Sequence, residues 1–407
     1  SIIAPFNALA YLDDPALHQR CARKFTADVA PDRPDPLRTA GRGSRSRLRI
    51  AYLSADYRDH PVARLIAPVL EAHDRSRFEI IGISLGEPGD GEMAARIAAV
   101  CDSFHDVRVL TDGQAARLVF DLKTDIAVDL TGHTAQARPR ILAHRPAPVQ
   151  AAYLGYAGTM GAEFIDYIIA DPVILPLAEQ PFYDEAIIHL PDAYLSVGAA
   201  QPAPASAPSR AEAGLPDRGF VFACFNGLWK ITPEVFDVWM RLLAKTPGSV
   251  LWLYRDTPGA VANLSREAAA RGIDPARLIF KDRIDFSRHL ALHNLADLFL
   301  DTLPYNAHAT AVDALAAGLP VLTCQGRSFA GRVGASLLRA AGLPELIADD
   351  LVAYEALAVQ LAADPEALEK VRSKLARARR TAPLFDPVQF TRGLEDAYET
   401  MWRDPRP

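Results

Sequence analysis

From Leu48 onward, short apolar runs alternate with longer stretches whose apolar residues recur every three to four positions. LRIAYLS (Leu48–Ser54), FEIIGIS (Phe78–Ser84), DIAVDL (Asp125–Leu130), VQAAYLG (Val149–Gly155), YIIAD (Tyr167–Asp171) and AIIHL (Ala186–Leu190) read as strands. Several are apolar throughout, as parallel strands buried on both faces are. VARLIAPVLEAHD and GEMAARIAAVCDSF, which separate the early runs, have helical spacing. Strand and helix in alternation predict an α/β fold with a doubly wound parallel sheet. A second series follows from Phe220: FVFACF, the helix PEVFDVWMRLLAKT, SVLWLYRD, the helix VANLSREAAARG, LIFKDRI, LADLFLD, a helix opening near His308 or Ala309, and PVLTCQG.

Between the two series, residues 198–218 are rich in Ala, Pro and Ser and lack apolar periodicity, which marks an interdomain linker. The domains expected are therefore 47–197 and 219–385, with a cleft between two Rossmann-like halves. Residues 1–46 form a helical segment, capped by Asp13 or Asp14, and a polar linker. The helix within 386–407 is expected to run back and brace the first domain. No repeat of 30 to 40 residues recurs, so a helical solenoid is not part of this chain.

At 407 residues the chain exceeds a single typical core. Half the residues are hydrophobic and 23% are charged, a globular composition. The net charge of −6 leaves no global basic field for nucleic acid or anionic lipid. Cys21, Cys101, Cys224 and Cys324 are widely spaced and form no CxxC pair, which suits reduced core residues of a cytoplasmic protein. No apolar run reaches membrane-spanning length, and the first residues lack a basic start and a long apolar core. Neither secretion nor a membrane anchor is expected.

Five stretches carry candidate chemistry, and each follows or adjoins a predicted strand. In SADYRDHP, Asp56 and His60 form a pair suited to proton transfer, or belong to an ordinary polar turn. In DLTGHTAQARP, His133 and Thr134 lie in a polar turn that is either a binding loop or a capped helix entry. YLGYAGTMGAEF spaces Gly155, Gly158 and Gly161 by three, which is not a dinucleotide fingerprint; it leaves tight turns or a sugar-binding loop. In FNGLWK, Asn226 and Lys230 precede a helix, where a cation opposes the dipole, and that mismatch points to function. His289 and His293 have i,i+4 spacing, with no third ligand to suggest zinc.

DTLPYNAHATAVDALAAGLP (Asp301–Pro320) is the most informative stretch. It reads as strand end, loop and helix start, closed by Gly318 and Pro320. The unpaired N–H groups of a helix start and its dipole favour phosphate, Ala307 and Ala309 allow close approach, Thr310 adds a hydroxyl, and Asp313 lies one turn in. An ordinary crossover with an N-cap fits the same residues.

Taken together, LRIAYLSADYRDHP, RPAPVQAAYLGYAGTMGAEFIDYIIAD, FNGLWKITPEVFDVW and LDTLPYNAHATAVDALAAGLPVLT resemble the catalytic region of O-GlcNAc transferase and its bacterial SPINDLY-like relatives, glycosyltransferase family 41. The resemblance implies a GT-B fold and an inverting, metal-independent transfer of N-acetylglucosamine from UDP-GlcNAc to a Ser or Thr hydroxyl of a protein. Carried over, Lys230 binds the diphosphate with His308, Ala309 and Thr310, Asp313 holds the ribose, and His289 lies by the uracil. His60 is then a candidate base supported by Asp56, and Gly155 contacts the sugar. His133, Thr134, Leu154, Asn226, Ile284 and Asn306 complete the substrate-binding set. The same resemblance leaves open which of Asp56, His60 and His133 moves the proton. It also admits a protein O-fucosyltransferase using GDP-fucose, and a nucleotide-binding scaffold without turnover. No cofactor is implied, and tetratricopeptide repeats are expected upstream. Ala157, Ala309 and Phe286 replace a proline, a threonine and a lysine of the family pattern.

Overall fold

The computed structural model describes residues 3–31, 34, 36–37, 46–87, 89, 91–198 and 208–403. Residues 199–207 of the expected linker, much of the polar stretch 32–45 and residues 404–407 lie outside them. Two compact units emerge: Ser1–Gly198 with Asp386–Pro407, and Ala199–Phe385.

The first unit holds strands β1 (Leu48–Ser54), β2 (Phe78–Ser84), β3 (Ser103–Asp106), β4 (Ile126–Asp129), β5 (Val149–Ala152), β6 (Tyr167–Ala170) and β7 (Ala186–His189). They form one parallel sheet in the order β3-β2-β1-β4-β5-β6-β7. β4 and β5 are buried at every position, which is why their sequences are continuous apolar runs rather than alternating ones. Helix Pro15–Val29 begins where the Asp14 carboxylate accepts from the Ala16 and Leu17 N–H groups.

Helix Pro387–Arg403 packs on helix Pro61–Ala72 of this unit. A buried relay fixes it: the Tyr398 hydroxyl donates to the Tyr52 hydroxyl (2.8 Å), which donates to His73 Nε2 (2.8 Å), while His73 Nδ1–H donates to Glu395 (2.9 Å). Burial lowers the His73 pKa against the pull of Glu395, so the ring is a neutral link in this chain of hydrogen bonds.

The second unit holds β8 (Val221–Cys224), β9 (Val250–Tyr254), β10 (Leu278–Lys281), β11 (Leu298–Leu300), β12 (Val321–Cys324) and β13 (Ile347–Ala348). This sheet is also parallel, in the order β10-β9-β8-β11-β12-β13. Both units are thus Rossmann-like sheets, and their strand order reverses once, at β1/β4 and at β8/β11.

Two expectations need correction. The stretch read as one helix through CDSF ends at Val100, and Ser103–Asp106 is instead the edge strand β3. LADLFLD contributes only Leu298–Leu300 to a strand, because His293–Leu295 coil into a 3-10 turn. That turn begins at His293, whose ring centre still lies 4.7 Å from that of His289, so the two share one face as their spacing predicts.

Candidate functional site

In an open parallel sheet, ligands bind beyond the carboxyl ends of the strands, at the point where strand order reverses. In the first unit those ends release Ser54–Pro61 after β1 and Asp129–Pro139 after β4, which are two of the stretches singled out by sequence. Ser54, Asp56, Thr131 and His133 are buried there. Asp56 receives Arg58 at 2.9 Å and faces His60 Nδ1 at 3.6 Å. The same Nδ1 also accepts the Val62 N–H at 3.3 Å, capping helix Pro61–Ala72. His60 Nδ1 therefore stands between a donor and an acceptor. The tautomer chosen decides whether Nε2 is a lone pair or an N–H.

His133 is placed differently. Its Nε2–H donates to the Met160 carbonyl at 2.8 Å, and that carbonyl also receives the Thr26 hydroxyl at 2.7 Å. Burial lowers the His133 pKa to about 4, so the ring is neutral and clamps the glycine loop. Thr134 turns its hydroxyl back to the Thr131 carbonyl. Leu154 adopts φ +74°, with its carbonyl held by the Tyr194 hydroxyl at 2.7 Å. At Gly155 a Cβ would lie 2.0 Å from the Leu130 carbonyl oxygen, so this glycine is required by backbone packing whatever it contacts besides.

Sequence reading missed Glu185, which is fully buried. It accepts the Thr159 hydroxyl (2.7 Å) and the Met160 N–H (2.6 Å), and burial raises its pKa to about 7. Its only signal was a carboxylate beside an apolar strand.

In the second unit the switch point lies between β8 and β11, whose following loops carry Phe225–Lys230 and Asp301–His308. Lys230 does not face the dipole of the next helix: it closes a 3-10 turn ahead of the Thr232 cap, so the mismatch expected from sequence is absent. Its ammonium, 9% exposed, donates to the Asn306 carbonyl at 2.9 Å and sits 3.7 Å from the centre of the Tyr305 ring. Burial lowers its pKa, opposed by Asp301, whose own pKa burial raises.

The loop is held from within. Asp301 accepts the Thr302 and Ala307 N–H groups and the Thr323 hydroxyl. Asn306 gives its amide to the Thr302 carbonyl at 2.7 Å and accepts the Gly334 N–H, so its side chain shapes the loop. Asn226 joins the two loops: its amide donates to the Thr302 hydroxyl at 2.8 Å and its oxygen accepts the Thr310 hydroxyl.

Helix Ala309–Ala317 begins after His308 without a side-chain cap hydrogen bond, with its positive end at this loop, and Gly318 ends it in the left-handed conformation. Ala309 and Thr310 lie in the first turn, and His308 donates from Nε2 to the Ala330 carbonyl at 3.2 Å. Burial, then Lys230, hold the His308 pKa well below its ordinary value. Asp313, one turn in, lies 4.0 Å from His289 Nε2, and Ile284 is half-buried in the loop before helix Phe286–Leu292. Among the described residues, no three His, Cys, Asp or Glu side chains gather as a metal site, and no helix is long and apolar enough to cross a membrane. Among the described residues, no disulfide joins any of the four cysteines.

Comparison with known proteins agrees with this architecture. Likeness to Anabaena HepE in complex with UDP and glucose (TM-score 0.62, 13% identity, 87% of this chain and 100% of that one) concerns the fold alone. A mutant of the Thermobaculum terrenum O-GlcNAc transferase matches with TM-score 0.89 and 34% identity, covering 98% of this chain and 78% of that one. A probable UDP-N-acetylglucosamine–peptide N-acetylglucosaminyltransferase, SEC of Arabidopsis thaliana, is 36% identical over 98% of this chain and 43% of its own length. The Caenorhabditis elegans UDP-N-acetylglucosamine–peptide N-acetylglucosaminyltransferase is 28% identical over 88% of this chain and 41% of its own. The chain thus spans about two fifths of these curated relatives. The family model described as glycosyl transferase family 41 matches residues 34–203 and 195–394. With two Rossmann-like units of the GT-B class and a match along nearly all of its length, the chain belongs to glycosyl transferase family 41.

Proposed function

We propose that this chain transfers N-acetylglucosamine from UDP-GlcNAc to a Ser or Thr hydroxyl of a protein, with inversion at the anomeric carbon. The observation that carries the reading is Lys230, a buried ammonium held at a switch-point loop that leads into the uncapped helix Ala309–Ala317. In the reaction the acceptor oxygen bonds to the anomeric carbon, the bond from that carbon to the β-phosphate oxygen breaks, and UDP leaves with the added charge. An ammonium and fixed amide donors stabilise that charge more in the transition state than in the bound donor. In this reading Lys230, the helix start and Thr310 carry the electrostatic work without a metal, and Asp313 accepts from the ribose hydroxyls.

The acceptor proton goes to His60 Nε2 when Nδ1 carries its proton toward Asp56, the tautomer in which Nε2 is a lone pair. Tetratricopeptide repeats upstream of this chain would present protein acceptors. Cysteines held outside disulfides suit the cytoplasm.

The test is transfer from radiolabelled UDP-GlcNAc to a Ser/Thr peptide library, with an EDTA-treated sample alongside. Lys230→Ala should lower kcat by roughly 10²–10³-fold, the usual effect of deleting one such donor. Undiminished turnover in that variant would remove Lys230 from the mechanism. Tighter binding of GDP than UDP would favour fucose transfer, and nucleotide binding without transfer or donor hydrolysis would leave a scaffold.

A further inference from the structure

Lys281 ends β10 and is 7% exposed. Its Nζ lies 2.6 Å from His289 Nδ1, 4.5 Å from the centre of the Phe225 ring and 5.3 Å from that of Tyr254. On the other side of the imidazole, Nε2 lies 4.0 Å from the Asp313 carboxylate. Lys281, His289 and Asp313 thus form a line from the end of β10 to the helix that follows β11.

We propose that Lys281 is a positioning residue that fixes the tautomer of His289, so that this imidazole offers an N–H, and not a lone pair, to the nucleoside of the donor. An ammonium has three donors and no acceptor, so a 2.6 Å contact requires Nδ1 to be the acceptor. The ring proton then sits on Nε2. A second cation against this ammonium is strongly disfavoured, so the imidazole stays neutral.

Burial lowers the Lys281 pKa to about 8, with Asp313 opposing, and the amine is mostly charged at neutral pH. The other titratable groups around it are His293, whose pKa burial lowers to about 4, and Tyr254, whose pKa burial raises. Neither is a competing cation, and His293 Nε2 makes no hydrogen bond to the ammonium. Arg255 is engaged with Asp282 at 2.7 Å.

An N–H at Nε2 set against position 4 of a pyrimidine recognises a carbonyl oxygen there. Uracil carries a carbonyl at that position and cytosine an amino group, so the locked tautomer selects against cytosine nucleotides. Were the ring free to flip its proton, the lone pair would accept the cytosine amino group and that selection would weaken.

This inference rests on the reading of the second unit as a uridine diphosphate site, and the experiment separates the two. Long-range ¹H–¹⁵N correlation of the histidines in the chain without nucleotide, assigned with His289→Gln, reads the tautomer directly. The proton is expected on Nε2 in the wild type and shared between both nitrogens in Lys281→Met, whose side chain fills the same apolar space without a donor. By calorimetry, Lys281→Met should raise the Kd for UDP about tenfold, as loss of a charge-assisted hydrogen bond does, and narrow the ratio of CDP to UDP Kd. In turnover, KM should rise with kcat little changed. A wild-type His289 protonated on Nδ1 would overturn the proposal, as would an unchanged CDP-to-UDP ratio in the variant. If the wild type failed to bind UDP, the nucleotide reading would fall, and with it the selectivity claim, while the spectrum would still decide the tautomer.

Discussion

Glu185 shows what a single side chain does to this loop. Its carboxyl titrates near 7 in the folded chain against 4.5 ordinarily. Between those values the folded state holds a proton that the unfolded state has released. Its contribution to stability is therefore greatest below about pH 4.5 and is lost as pH rises through 7, a change on the order of 3 kcal/mol. Glu185→Gln keeps an acceptor for the Met160 N–H and a partner for Thr159. Urea unfolding at pH 5 and pH 8 should show a smaller loss in the variant; an equal loss would mean that this carboxyl is not responsible. The residue escaped the sequence reading because its partners lie 25 and 26 positions away and no motif surrounds it. Asp56, His60 and Lys230 were legible because each stands directly after an apolar strand, where a polar cluster is conspicuous. Their hydrogen-bond partners were not: the Asn306 carbonyl that holds Lys230 is 76 residues distant.

At the scale of elements, β1 and β2 match the apolar runs to the residue, since both faces of these strands are largely buried and every position reports it. β3 and β13 were hidden for the opposite reason. The first is an edge strand of half-exposed residues, and the second is two residues long, so neither carries a periodic signal. The glycine loop is an element shaped from three directions: Glu185 beside β7, His133 after β4 and Thr26 from helix Pro15–Val29. Removing one brace should loosen it without unfolding the sheet. Thr26→Val deletes the hydroxyl at nearly constant volume and should cost about 1 kcal/mol of stability. Hydrogen exchange should rise at residues 155–161 and stay unchanged in β4 and β5; uniform exchange would show that the helix does not support the loop. Gly155→Ala is more severe, because the added carbon meets the Leu130 carbonyl, and the loop should shift enough to abolish transfer while the second unit melts normally.

At the scale of the molecule, two sheets in two units make two cores. Deleting 386–407 removes Glu395 and Tyr398 from His73 and Tyr52, leaving buried polar groups unpaired in the first unit only. Such a truncation should lower the thermal midpoint of the first unit and spare that of the second, as two-wavelength or domain-resolved exchange melting would show. Equal loss in both units would contradict their independence. The buried relay that secures the last helix joins residues over 300 positions apart and has no local sign in the sequence.

That return of the chain also sets an order of events during synthesis. Residues 199–385 are contiguous, so the second unit has all of its sequence once the ribosome has passed Phe385. The first unit begins earlier but holds His73 without its carboxylate, and Tyr52 without its phenol partner, until the last helix has emerged. The amino-terminal half is made first and finished last, so a paused or truncated product should carry a settled second unit and an unfinished first one, with the cavity vacated by the last helix open to chaperones.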